Sequence, residues 1–441
     1  MLFKNIRIVD ENYKVREHMY VRTVGTDITY VGEKCPETVQ DEEVYDGSDK
    51  LMIPGLYNLH CHVPMVILRG YGDGLPLQRW LNERIFPFEA KLTADDIYWC
   101  TKLGAMELMA SGCVSISDMY FSINHMAKAL DECGMKANIC HGISSFDPAV
   151  KLKEMPGFVD TLRLCEDVRA GVYGGTRADG ADSRIKADMG LHAEYTSNEN
   201  LVRQIAEAAH EHGLIVHTHI SETESEHEEC KKRHNGMTPV QYFKSCGLFD
   251  NHVNAAHCVH LEHEDIEIMK AAGAVAVHNP SSNLKLGSGI CRVKEYNLSG
   301  LKMTLGTDGA SSNNNLDMIE EMHMAAMLAR GITRDANAIS PEDVLKMASF
   351  DGAKAQGREK CGKIAEGWRA DIAVIDLDKP NMQPGINPMS DLIFSAQSSN
   401  VVMTMADGRV IYKDGEFKLV DKERVFAEVK QRFSRITGEL G

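Results

Sequence analysis

Leu51-Met52-Ile53-Pro54-Gly55-Leu56-Tyr57-Asn58-Leu59-His60-Cys61-His62 is an apolar run that stops abruptly at two imidazoles. Its length and content read as a buried strand. Residues two apart on a strand share a face, so His60 and His62 point together while Cys61 points the other way. The plan recurs seven more times, at 113–119, 136–142, 188–192, 214–219, 253–257, 274–278 and 302–308. Helical periods lie between them, over 95–111, 123–132, 198–212, 262–272 and 316–328. Eight strand-then-helix units predict an α/β fold, a parallel (β/α)8 TIM barrel, and covering helices explain why its strands read as almost unbroken apolar runs.

Outward from this middle the pattern changes. Segments 2–9, 19–31 and 43–53 are β-rich without a helical period, and so are 370–375, 401–406 and 410–418, the last turning at Lys413-Asp414-Gly415. They are expected to pair into a small β-sandwich-like domain built from residues 1–55 and 367–441, around a barrel of residues 56–366. Segment 169–188 is rich in Gly, Asp and Arg and reads as a long surface excursion rather than a lid. Loops that precede a barrel strand lie on the face away from the chemistry.

Composition narrows the function classes. Of 441 residues, 43% are hydrophobic and 25% charged, ordinary values for a globular chain with ample core. A formal net charge of -16 argues against a nucleic-acid partner, which needs a basic face. No apolar run is long enough to span a bilayer and the first residues lack the plan of a signal peptide, so no membrane partner and a cytoplasmic location are expected. The 12 cysteines are scattered without a Cys-x-x-Cys pair, and neither disulfides nor cysteine metal ligands are expected.

The ends of the runs carry the chemistry. Barrel enzymes work at the C-terminal ends of their strands. Here those ends are His60-Cys61-His62, His217-Thr218-His219, His257, His278 and Asp308. Imidazoles and a carboxylate converging there suit one divalent metal per chain, held by His60, His62, His219 and Asp308, with zinc expected and ferrous iron the alternative. Asp308 can also take a proton from an attacking water. Glu222 follows His219 by three residues and is placed to shuttle protons, whereas most of Glu224, Glu226, Glu228 and Glu229 are expected to be solvated. His257 is either a fifth ligand or a partner of the attacking water, and the second is favoured because four protein ligands and a water fill the coordination sphere.

Several longer segments then bear a family resemblance: Pro54 to His62, Leu68-Arg-Gly-Tyr71, Asp73 to Leu81, Asp118-Met-Tyr120, Ala255 to Leu261, His278 to Gly287 and Leu305 to Asn313. Over essentially its whole length the chain resembles the amidohydrolase superfamily, and within it the 5′-methylthioadenosine/S-adenosylhomocysteine deaminases. The resemblance implies hydrolytic release of ammonia from an aminated purine nucleoside, a small-molecule substrate. It implies metal ligation by His60, His62, His219 and Asp308, and catalysis by Glu222, His257 and Asp308. It also implies substrate contacts from Trp80, Glu89, His192 and Glu222. Trp80 offers an apolar wall, Glu89 an acceptor for a ribose diol, and His192 a polar contact to base or sugar. A homo-oligomer is expected.

The chain also departs from the pattern. Relatives that take a homocysteinyl tail have Arg where this chain has His141, and often a second where Lys151 and Lys153 stand. Loss of the guanidinium fork predicts 5′-methylthioadenosine or an adenosine-like nucleoside ahead of S-adenosylhomocysteine. Glu194, two past His192, replaces a small or apolar residue and points to the alternative of a guanine- or pterin-like ring. Displacement from a triazine is a further enzymatic alternative. A non-catalytic scaffold is the third class, and the complete ligand set argues against it.

Overall fold

The computed structural model describes residues 1–72, 74–75, 77–175, 180 and 182–440. Asp73 and Pro76 of the matching segments, and residues 176–179 and 181 of the expected 169–188 loop, lie outside the described residues.

Two parallel sheets form the middle of the chain. One has four strands, running through Leu56–Cys61, Cys113–Tyr120, Lys136–His141 and Ile185–Ala187. The other has five and runs through Met189–Leu191, Val216–Ile220, Val253–His257, Val275–His278 and Lys302–Leu305. Only Asp188 separates the last strand of one sheet from the first strand of the other. At the opposite edges, Asp308 N–H donates to the His60 carbonyl at 2.9 Å and the Asn58 amide donates to Thr307 Oγ1 at 2.7 Å. Gly306 sits in that seam because nothing larger fits. A Cβ there would lie 2.5 Å from Asn279 Oδ1 and 2.8 Å from the His60 backbone.

Helices follow most of these strands, and sequence dictates several of their starts. Thr93 and Asp96 form a reciprocal capping box on Ala94–Ala110, and the Asn198 side chain caps Glu199–His212. The central strands are buried along nearly their full length, as parallel strands covered by helices must be.

A nine-stranded sheet joins the two terminal segments. Lys50–Pro54 pairs with Leu2–Val9 on one side and with Ile372–Asp376 on the other. One face of this sheet encloses a small core that includes Phe3, Ile8, Met52, Ile372 and Met403, while Leu51, Ile53 and Ile375 face the large core. A buried polar cluster ties the sheet to the middle. Lys136 Nζ lies 2.6 Å from Asp371 and 2.8 Å from Asp407, and the Tyr57 hydroxyl donates to Asp371 at 2.6 Å.

Four expectations are corrected. The run 51–62 is two strands that break at Gly55 and enter different sheets. Segment 19–31 is a pair, Val15–Val24 and Asp27–Gly32, reversing at Gly25, whose φ of +57° suits a residue without Cβ. The excursion at 169–188 is shorter than expected, because Arg169 ends the helix Pro156–Arg169 and Ile185–Ala187 pairs as a strand. The C-terminal segment carries a long helix, Lys422–Leu440, beyond its strands.

Candidate active site

Ring nitrogens converge where the strands end. His62 Nε2 lies 3.4 Å from His219 Nε2 and 3.3 Å from Asp308 Oδ1. His60 Nε2 lies 3.4 Å from the same Asp308 oxygen and has no hydrogen-bond partner among the described residues. Two overlapping sets of groups, His60–His62–His219 and His60–His257–Asp308, each place their ligand atoms within 4.8 Å of one another. His257 therefore stands within reach of the cluster, as both of its expected roles require.

The far side of each ring is tied down. His62 Nδ1–H donates to the Met119 carbonyl at 2.5 Å and His219 Nδ1–H to the His192 carbonyl at 2.6 Å. His257 Nδ1 is 2.8 Å from Asn283 Oδ1, and His60 Nδ1 is 2.9 Å from His217 Nε2. Burial lowers His60 to about 3 and holds His219 well below the ordinary imidazole range. His60 and His219 are therefore neutral, with Nε2 lone pairs turned into the cluster. Burial would raise the Asp308 carboxyl, but its contacts, that with His60 first among them, hold it well below the usual carboxylate range. Its Oδ2 accepts from Ser282 at 2.5 Å and Ser312 at 2.9 Å, and its Oδ1 from the Gly309 amide at 2.8 Å.

This donor set fits a divalent ion. Lone pairs and an anion aimed at one point repel unless a cation lies between them. A tetrahedral centre with bonds of about 2.0–2.1 Å needs ligand atoms roughly 3.3 Å apart, the spacing seen here.

Backbone strain gathers at the same place. Ser221, His257, Cys258 and Asp308 all adopt left-handed φ, between +49° and +73°. Non-glycine residues hold that region at a cost and cluster there where function aims a side chain. Cys61 turns away as expected, donating to Asp118 Oδ2 at 3.2 Å, and the Val63 amide donates to the same oxygen at 2.7 Å.

The cluster floors a cavity of about 260 Å³. Trp80, Glu89, His192, Glu222 and His257 all line it, as does His141. Glu222 is nearly buried, accepts from Ser288 Oγ at 2.9 Å and stands 3.8 Å from His257 Nε2. Glu89 accepts from the Tyr120 hydroxyl at 2.5 Å, and burial raises its carboxyl despite that bond. His192 hydrogen-bonds Thr196 through Nδ1, and burial lowers it to about 4. No lysine or arginine is among the described residues of the lining.

One acid is corrected. Glu194 lies outside the lining, buried against Arg233 and against His234 Nε2 at 2.7 Å, so the expectation of a guanine- or pterin-like ring loses its basis. Of the four acids that follow Glu222, Glu224, Glu228 and Glu229 are exposed as expected and Glu226 is buried. Its buried carboxylate accepts from the Ser221 amide at 2.9 Å and the Glu222 amide at 2.8 Å, fixing the backbone that presents Glu222. Lys151 and Lys153 are exposed and outside the lining. His217, Ser282, Ser288, Ser312 and Tyr120 went unread as partners of the site. Of these, His217 carried a signal of its own, as the first half of a second His-x-His, and Tyr120, Ser282 and Ser312 lie inside the matching segments.

Known proteins share this frame. The chain is 39% identical, over 98% of both lengths, to a 5-methylthioadenosine/S-adenosylhomocysteine deaminase of Thermoanaerobacter pseudethanolicus. It is 38% identical to a 5′-deoxyadenosine deaminase of Methanocaldococcus jannaschii, covering 93% of this chain and 94% of that one. A crystal structure of a zinc-bound adenosine deaminase from Xanthomonas campestris superposes with a TM-score of 0.91 at 28% identity, covering 99% of this chain and 98% of that one. The family pattern runs through residues 51–411, from the strand before His60 to the hairpin well beyond Asp308, and the chain belongs to the amidohydrolase family.

Proposed function

We propose that this chain is a metal-dependent hydrolytic deaminase of aminated purine nucleosides whose 5′ substituent is uncharged, 5′-methylthioadenosine or an adenosine-like compound before S-adenosylhomocysteine. The observation that carries the reading is the meeting of four ligand groups and one acid, Glu222, in a cavity with an aromatic wall and no cationic side chain among its described lining. The names of the relatives support it, being deaminases of 5′-modified adenosines. We further propose that the two parallel sheets make one (β/α)8 barrel, spanning residues 56–366, with residues 1–55 and 367–441 as a composite β domain.

His60, His62, His219 and Asp308 would hold the ion, with zinc supported by the neighbour's metal. A divalent ion held there supplies Lewis-acid activation of water at neutral pH. His257 Nε2 faces Glu222 and the cluster, placed to hold the attacking water on line. Water adds to the amine-bearing ring carbon. Glu222 carries its proton to the ring nitrogen and then to the departing amine, which leaves as ammonia. Ser288 keeps the Glu222 carboxylate aimed inward throughout. Trp80 walls the base or the 5′ substituent. Tyr120 occupies one lone pair of Glu89 and leaves the other oxygen for a ribose diol. A carboxylate tail would enter a cavity already holding Glu89, Glu222 and Asp308 and would meet no counter-ion among the described lining.

The test is ammonia release from 5′-methylthioadenosine, 5′-deoxyadenosine, adenosine, S-adenosylhomocysteine and adenine, with elemental analysis of the same protein. The expected result is about one divalent ion per chain, with the uncharged nucleosides ahead of S-adenosylhomocysteine and adenine last. Active protein without metal, or adenine turned over as well as the nucleosides, overturns the reading.

A further inference from the structure

Two histidines of the cluster have their tautomer set by groups that can only accept. The Met119 and His192 carbonyls take the Nδ1 protons of His62 and His219, which bares Nε2 on both rings. His60 differs. Its Nδ1 lies 2.9 Å from Nε2 of His217, a ring that can donate or accept. His217 shares a strand and a face with His219, is fully buried, and its own Nδ1 has no hydrogen-bond partner among the described residues.

We propose that His217 is a positioning residue for the metal centre: it accepts the Nδ1 proton of His60 and so fixes the tautomer that bares His60 Nε2 for the ion. The inference rests on the metal reading above.

Counting protons shows why the choice matters. Each neutral ring carries one proton, and one proton lies between the two facing nitrogens. If it sits on His217 Nε2, that ring donates to His60 Nδ1, and the proton of His60 is forced onto Nε2, where it blocks a metal. If it sits on His60 Nδ1, His60 Nε2 is bare, and His217 keeps its own proton on the unpartnered Nδ1. Only the second state is compatible with ligation by His60 through Nε2, the atom 3.4 Å from Asp308. It requires an acceptor at the place of His217 Nε2, 2.9 Å from His60 Nδ1. Groups that receive the outer proton of a ligating histidine orient it as much as they retain it, and losing one typically costs about 10–100-fold in metal affinity or activity.

The experiment uses the full chain and zinc alone as the probe. Zinc affinity is measured by chelator competition for wild type, His217→Gln and His217→Leu, with thermal unfolding followed alongside. Glutamine keeps an acceptor oxygen near the position of Nε2 and leucine removes it. The expected result is an affinity loss of about 10–100-fold for His217→Leu, most of it recovered in His217→Gln. Nitrogen-15 NMR of histidine-labelled, zinc-loaded wild type should find the protons of both His60 and His217 on Nδ1, a readout independent of whether either variant folds. A proton on His217 Nε2 in that state overturns the inference. So does a folded leucine variant that binds zinc like wild type, or a glutamine variant as weak as leucine. Wild type that binds no zinc at all overturns the metal reading itself, and the inference with it.

Discussion

Glu222→Gln is the sharpest perturbation of the chemistry. The side chain accepts from Ser288 Oγ at 2.9 Å through one oxygen and faces His257 Nε2 at 3.8 Å through the other. Glutamine fills the same space, and its amide oxygen can keep the Ser288 bond. The amide backbone beneath it stays pinned by Glu226. What is lost is the capacity to take up and release a proton. Positioned proton transfer contributes about 10²–10⁴-fold, or roughly 2.7–5.4 kcal/mol of barrier at 1.36 kcal/mol per decade. We expect kcat to fall by that factor with zinc content unchanged and KM little affected, measured as ammonia release from 5′-methylthioadenosine alongside elemental analysis. Ser288→Ala grades the effect. It removes one hydrogen bond to a charged acceptor, about 1.5–3 kcal/mol at most, and leaves the carboxylate in place, so its kcat should fall between wild type and Glu222→Gln. A Glu222→Gln enzyme with full zinc and near-normal turnover would refute the proton-carrying role.

Glu89→Ala removes the acceptor assigned to the ribose and should cost nucleosides about ten- to a hundredfold in kcat/KM while leaving adenine nearly unchanged; equal losses on both would show that Glu89 does not read the sugar. Glu226 makes a pH prediction. Burial, then the nearby Glu222 carboxylate, pushes its carboxyl from the usual 4.5 up to about 7. A folded value above the unfolded one means the folded state holds the proton more tightly, so this contribution is complete below pH 4.5 and lost as pH rises towards 7. The stability of wild type relative to Glu226→Gln, from denaturant midpoints, should fall across that interval and level off above it. A difference that does not vary with pH would contradict the assignment.

The strand ends were legible because a polar residue closing an apolar run has few structural reasons to be there. His60, His62, His219 and Asp308 were found that way, and the structure brings them together. The split of 51–62 was masked by unbroken apolarity, since both halves are buried, though in different sheets. Pro54-Gly55 was its only mark. Glu226 was hidden among acids of the same segment, yet Thr223-x-x-Glu226 carries the spacing of a helix start, and Thr223 does cap Glu224–Arg233. Glu194 misled because its partners, Arg233 and His234, lie some forty positions on. Hydrogen-bond partners such as Ser282, on the helix Pro280–Lys285, and Ser312, in the loop after Asp308, leave no trace in the apolar pattern.

The junction at Gly55 also bears on how the chain comes together during synthesis. Strand Leu56–Cys61 emerges early, but its seam partner Thr307 follows Asn58 by 249 positions, and Asp371, which receives the Tyr57 hydroxyl, follows Tyr57 by 314. Closing such distances is slow, because their entropy must be spent before any contact returns it. Until Ile372–Asp376 leaves the ribosome, Lys50–Pro54 has one edge without its strand partner, and an open apolar edge invites pairing with other chains. A chain interrupted short of Asp376 would therefore be prone to aggregate rather than merely inactive. The strand that carries His60 is made early and held on both sides only late.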